Sequence, residues 1–221
     1  MLAGALVVIA TFTYPLWRPA PVPAAATNVQ FPELSEAEQQ AFANLPPNVQ
    51  RLYGEMRLLN APMAVDLLSA HLMAGEPLPA ETQALPPVDS AEQAASGTFT
   101  GLSAVTLAAD DERELPPFSG LVEASGQAII YQFPDNRKLL RFEEFNVTNG
   151  PNLRVVLSTL PLPLTEEELL QDRFRIDLGP LKSVVGPQNY ENVPVEINPV
   201  DYNSVVIYEN TYGIIFAVAR L

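Results

Sequence analysis

Gln127-Ala128-Ile129-Ile130-Tyr131-Gln132-Phe133 runs into the turn cluster Pro134-Asp135-Asn136, and Lys138-Leu139-Leu140-Arg141-Phe142 follows it. β-Branched and aromatic residues on both sides of such a cluster predict a hairpin, because a pleated strand suits those side chains and the turn needs residues that bend. The same pattern repeats outward. Thr148-Asn149-Gly150-Pro151 marks a turn before Leu153-Arg154-Val155-Val156-Leu157-Ser158. Ser204-Val205-Val206-Ile207-Tyr208 and Ile214-Ile215-Phe216-Ala217-Val218-Ala219 flank Asn210-Thr211-Tyr212-Gly213, which predicts a closing hairpin. Short strands with frequent turns predict a mainly β fold, an antiparallel β-sandwich over residues 97–221.

Before it, residues 76–96 are rich in Pro, Ala and Glu without periodicity. Pro77, Pro79, Pro86 and Pro87 predict a stiff, extended linker and a domain boundary. Residues 31–75 read as a small helical segment. Ser35-Glu36-Ala37-Glu38 has the capping-box form, and Pro46-Pro47 stops that helix and suits the start of the next. Val49, Leu52, Tyr53, Met56 and Leu59 then recur at helical spacing as one apolar stripe. A third helix from about Pro62 is expected to end near Gly75 as its C′ glycine, with His71 late in it. Packing on one another or on the main domain is the expectation for these helices, with a partner-binding face as the alternative.

Leu2 to Trp17 carries no charged side chain, and Arg18 is the first one met. Counted from the first residue to Trp17, seventeen residues of helix span about 26 Å, close to the roughly 30 Å hydrocarbon core of a bilayer. Tyr14 and Trp17 suit the interface. Residues 1–18 are therefore expected to form a transmembrane anchor, touching lipid through residues 2–17, with a Pro-rich linker at 19–30. A cleaved signal peptide ending near Ala24-Ala25-Ala26 and a buried core helix are the alternatives. The missing positive n-region counts against the first, and Pro-Ala-Pro-Val-Pro at Pro19 to Pro23 against the second.

Composition removes whole classes of function. The 221 residues carry a formal charge of −14, from 26 acids against 12 bases, so a phosphate backbone would be repelled and nucleic acid is excluded as a partner of the usual kind. Hydrophobic residues at 48% supply a core and exclude wholesale disorder, while 22 prolines argue against an all-helical bundle. The absence of cysteine excludes disulfides, thiolate catalysis and iron–sulfur ligation. One histidine excludes His-rich metal sites. No Ser-His-Asp set, phosphate loop or nucleophile elbow can be assembled, so no catalytic residue, cofactor site or metal site is assigned and the chain is expected not to be an enzyme.

Several stretches together carry a resemblance. They are Gly97-Thr98-Phe99, Gly126-Gln127-Ala128-Ile129-Ile130-Tyr131, and Leu140-Arg141-Phe142-Glu143-Glu144-Phe145 with Thr148-Asn149-Gly150-Pro151-Asn152-Leu153. Asp177-Leu178-Gly179-Pro180-Leu181-Lys182, Gln188-Asn189-Tyr190 and Ser204 to Tyr208 complete the set. In this order they resemble the DM-thirteen domain family over about residues 97–221. The resemblance implies an extracytoplasmic DM-thirteen/DOMON-like β-sandwich. Bacterial members with a membrane anchor and a helical pre-segment resemble the N-terminal half as well. The family's electron-transfer role is a proposal built largely on one characteristic cysteine.

The chain departs from the family there. Glu209 stands at the cysteine position, Val122 where a histidine often precedes the glycine equivalent to Gly126, and Gly213 where a histidine sometimes follows the final aromatic. Carboxylate is no one-electron thiol centre, and neither valine nor glycine ligates haem iron. Relative to the family, Thr106 to Gly120 looks like an insertion. Its acids Asp110, Asp111, Glu112 and Glu114 lack the spacing and glycine of an EF-hand calcium loop, and are read as a solvated run, with an ion site or a contact for a basic partner as the alternatives. Glu143 and Glu144 are adjacent and are expected on opposite strand faces. The expectation is a single-pass membrane protein with its bulk outside the cytoplasm, an accessory or scaffolding subunit with a non-catalytic binding β-sandwich and a protein partner at the membrane surface. The alternative is an electron-transfer accessory or carrier of a membrane redox complex.

Overall fold

Eight antiparallel strands carry the chain from Glu92 to Arg220 in the computed structural model, which describes residues 29–221. They are β1 (Glu92–Gly101), β2 (Ala124–Gln132), β3 (Lys138–Val147), β4 (Leu153–Ser158), β5 (Ile176–Pro180), β6 (Gln188–Val193), β7 (Ser204–Glu209) and β8 (Ile214–Arg220). Their order is β5-β4-β7-β8-β1-β2-β3-β6. The two halves share β1, whose residues Glu92 to Thr98 pair with β2 while Phe99 to Gly101 pair with β8. Gly97 sits at the switch, where a Cβ would lie 1.9 Å from the Arg220 carbonyl oxygen. At the other end Asn192 Nδ2 donates to the Leu178 carbonyl at 2.8 Å, tying β6 to β5. The result is a nearly closed sandwich.

The predicted hairpins β2–β3 and β7–β8 are present. β3 bulges opposite Gly126, setting Glu144 and Phe145 against that one residue of β2, and Gly126 takes φ +103°, with a would-be Cβ only 2.6 Å from Phe145 Cα. Glu144 opposite adopts φ 49°. Simple alternation therefore fails at Glu143-Glu144, because a bulge interrupts the pleat. Phe99, Phe142 and Phe145 pack edge-on or tilted at 4.8–4.9 Å between ring centres, with Tyr190 5.4 Å from Phe142.

Among the described residues, three helices of two turns or more precede the sheet: α1 (Glu36–Ala43), α2 (Pro47–Leu59) and α3 (Ala61–Leu72). The capping box is formed, with Ser35 Oγ accepting from Glu38 N and the Glu38 carboxylate accepting from Ser35 N at 2.8 Å. Pro47 opens α2, and Asn60 Oδ1 caps α3 by accepting from Met63 N at 3.1 Å. Tyr53 and Met56 of the apolar stripe are buried, but Leu59 is exposed, since α2 ends there and turns away into α3. Gly75 is not the C′ glycine. α3 stops at Leu72 with an extended Met73 as its cap.

The stretch expected to separate two domains is instead bound to the sheet. β1 begins at Glu92, inside it, and a short helix α4 (Ala80–Gln83) interrupts it. Arg141 donates to the Gln83 carbonyl at 3.0 Å, Asn189 Nδ2 to the Ala84 carbonyl at 2.8 Å, and Ser183 Oγ to the Glu76 carbonyl at 2.7 Å. Buried Arg141 and Asn189 need such acceptors, and the Pro-rich segment provides carbonyls that its own structure leaves free. Phe31, Tyr53, Met56 and Leu68 belong to the same apolar cluster as Phe99, Phe142 and Phe216. Helices and sheet therefore share one core rather than two.

No helix of the described residues is long and apolar enough to cross a membrane. The anchor expected at 1–18, and most of the linker at 19–30, lie outside the described residues.

A shared core predicts that full-length protein melts in one transition, and that residues 92–221 alone lose stability and bind a hydrophobic dye. Calorimetry on both would show it, and equal melting midpoints would refute it. Leu68→Ala, at a fully buried site, should cost about 2–5 kcal/mol in urea unfolding.

Candidate functional site

Glu209, Val122 and Gly213, the three positions singled out in the sequence, gather around the β7–β8 hairpin. Glu209, the last residue of β7, is fully buried. Its two carboxylate oxygens accept from Thr211 N at 3.0 Å and Tyr212 N at 2.7 Å. A carboxylate is costly to bury unless solvent or a nearby base meets it. It finds neither, because the turn points two backbone N–H groups at it, and these would otherwise be orphaned. Gly213 closes the turn with φ +70°. Glu209 is thus a turn-holding acceptor.

Helices cover this end of the sandwich. Val122 is buried, and with Tyr53, Met56, Leu67, Phe118 and Phe216 it lines a small, mostly apolar chamber of about 20 Å³. That is room for about one water and for nothing the size of a cofactor. Tyr212 Oη donates to Asp66 Oδ2 of α3 at 2.5 Å, which pins the hairpin under the helices. The Asp66 bond, helped by burial, pushes the Tyr212 hydroxyl up to about 12. Tyr208 Oη likewise donates to Glu166 at 2.5 Å, and burial together with that carboxylate raises its hydroxyl above the usual tyrosine value. Glu166 opens α5 (Glu166–Gln171).

Beside the chamber lies an open cleft of about 340 Å³ between the end of α3, the start of β2 and the end of β3, lined by His71, Met73, Glu123, Ser125, Asn146 and Thr148 among others. His71 Nδ1 and Tyr53 Oη are hydrogen bonded at 2.8 Å. Burial lowers the histidine below its ordinary value, and the Glu123 carboxylate opposes that shift. Tyr53 is 2% exposed, and burial raises its hydroxyl. Composition singled out His71 as a lone histidine, but nothing in the sequence linked it to a tyrosine eighteen residues earlier.

The acidic run does not form one site. Arg113, within it, folds back onto Asp111 at 2.7 Å, donates to the Leu162 carbonyl at 2.9 Å and reaches Glu168 at 3.4 Å. The guanidinium holds the Asp111 carboxyl down at about 2. Asp110, Glu112 and Glu114 remain exposed. Among the described residues no three His, Asp or Glu side chains gather as a metal site. Sequence reasoning missed Asp172, a buried carboxylate accepting from Ser158 Oγ and Thr159 N, both at 2.7 Å, from Thr159 Oγ1 at 2.9 Å and from Phe174 N at 3.0 Å. Burial pushes its proton affinity up, but these four bonds outweigh it and hold the carboxyl below its usual value.

Residues 119–221 match the family model described as Electron transfer DM13. The match begins just before Val122 and spans β2 to β8 with α5, leaving β1 and the helices before it outside. It is the family to which the sequence motifs pointed, and the stretch carries no cysteine. No curated protein and no solved structure matches the chain.

Glu209→Ala should orphan two turn amides and cost about 3 kcal/mol, while Glu209→Gln, which keeps one acceptor oxygen, should cost less. Urea midpoints of the two variants read the difference, and equal losses would mean that bulk, not acceptance, matters. Asp172 has a depressed native value, so its contribution is full above the ordinary carboxylate range and disappears as pH falls through that lowered value. Acid unfolding of Asp172→Asn should accordingly show a shallower loss of stability below about pH 4 than the parent.

Proposed function

We propose that the protein is a non-catalytic scaffolding subunit, anchored by residues 1–18 in a membrane and presenting its sandwich and helical cap outside the cytoplasm to a protein partner. The observation that carries this reading is the state of the hairpin end. Glu209 is occupied by two turn amides, Val122 and Phe216 lie beneath α2 and α3, and the remaining chamber holds about 20 Å³. A ligand-carrying sandwich needs an open end, and here helices fill it. The exposed acids Asp110, Glu112 and Glu114 are the candidate contact for a basic partner.

A second reading is electron transfer within a membrane redox complex, favoured by the family description that covers residues 119–221. Deleting the chain in its host separates the two. Scaffolding predicts that the partner complex fails to assemble while each complex that does assemble keeps its electron flow. A carrier role predicts normal assembly, lost flow, and a visible absorption band or bound metal in the purified protein.

A further inference from the structure

The structure brings a buried phenol, an imidazole and a carboxylate-bearing cleft into line: Tyr53 Oη lies 2.8 Å from His71 Nδ1, and His71 borders the cleft that also holds Glu123. We propose that Tyr53 and His71 form a proton-coupled one-electron relay, in which the phenol is the redox group and the imidazole its proton acceptor. Purpose in the cell is inherited from the electron-transfer reading, and the chemistry of the pair is not.

The phenol's O–H bond breaks in the forward step. Its electron goes to a high-potential one-electron metal oxidant, and its proton to His71 Nδ1, leaving a neutral tyrosyl radical beside an imidazolium. One electron returned by the reduced metal centre, with the proton returned by Nδ1, restores the starting state. Losing the electron without the proton would leave a cation in an apolar chamber, which burial makes costly. A base already in hydrogen-bond reach removes that cost.

Three features suit the role. Burial keeps Tyr53 protonated and His71 neutral near pH 7, so the donor and the empty acceptor are both in place. Glu123 is the one carboxylate acting on His71, and it favours the imidazolium once formed. The other side chains around the ring from β3 and the 184–185 segment, Asn146, Thr148, Asn149, Val184 and Val185, are uncharged. The tyrosines Tyr208 and Tyr212 bond carboxylates, which are weaker bases than imidazole, so Tyr53 has the best acceptor of the three.

Flash oxidation of the full-length protein by photogenerated tris-bipyridyl ruthenium(III), read by electron paramagnetic resonance, tests it. His71 is the chain's one histidine, so feeding ¹⁵N-histidine labels a single imidazole. The expected result is a tyrosyl radical with hyperfine coupling to ¹⁵N, absent in Tyr53→Phe. In His71→Ala the oxidation should slow by about a hundredfold, the low end of what a positioned base contributes. Added free imidazole, which the adjoining cleft can admit, should restore it. In the parent, the rate should fall as pH drops through the histidine's lowered value. A radical without ¹⁵N coupling, or a rate indifferent to both His71→Ala and imidazole, would overturn the proposal. These readouts need no partner, so a failure of the electron-transfer reading leaves them standing, and their failure leaves that reading untouched.

Discussion

Packing of α2 and α3 onto the hairpin end of the sheet is the contact on which the rest of the molecule depends. A sandwich of eight strands can close its sides by pairing and its interior by aromatic packing, but its ends stay open unless something fills them. Here Tyr53, Met56, Leu67 and Leu68 fill one end, and they do so within the same apolar cluster as Phe99 and Phe216. Burying a large apolar side chain contributes about 1.5–3 kcal/mol, so four such residues outweigh the hydrogen bonds that fix their position. The Tyr212–Asp66 bond then acts as a register pin, setting where the helices sit rather than whether they bind.

That contact also decides what Glu209 and Val122 do. A carboxylate is normally a liability in a core. Glu209 is tolerated because the β7–β8 turn presents two amides to it, and the turn is compact because Gly213 takes a positive φ. Val122 becomes ordinary packing once the helices lie over it. The hairpin end of the sheet is thereby covered by α2 and α3. Polar groups line the adjoining cleft, which His71 and Glu123 border.

A similar economy governs the Pro-rich stretch after α3. Prolines deprive it of donors, yet its carbonyls remain, and Arg141, Asn189 and Ser183 use them. A segment that makes little structure of its own thus satisfies buried polar groups of the sheet. It is at once a connection and part of the wall.

Hairpins β2–β3 and β7–β8, strand β4, the Ser35 capping box and the Pro47 start of α2 were all legible in the sequence, because each depends on residues close along the chain: alternation, turn formers and caps act over a few positions. The acidic run was legible as acids but not as a structure, since Arg113 finds Leu162 and Glu168 only after folding. The start of β1 at Glu92 was hidden, because Glu92 to Ser96 gains its strand from pairing with β2 and not from its own weak propensity. Composition by itself determined the exclusions, with no cysteine, one histidine and a charge of −14. Tertiary structure alone decided that helices and sheet share a core, that Glu209 faces amides, and that Tyr53 meets His71. Those outcomes are contacts between distant segments, and side-chain burial, which no local pattern encodes, selects them.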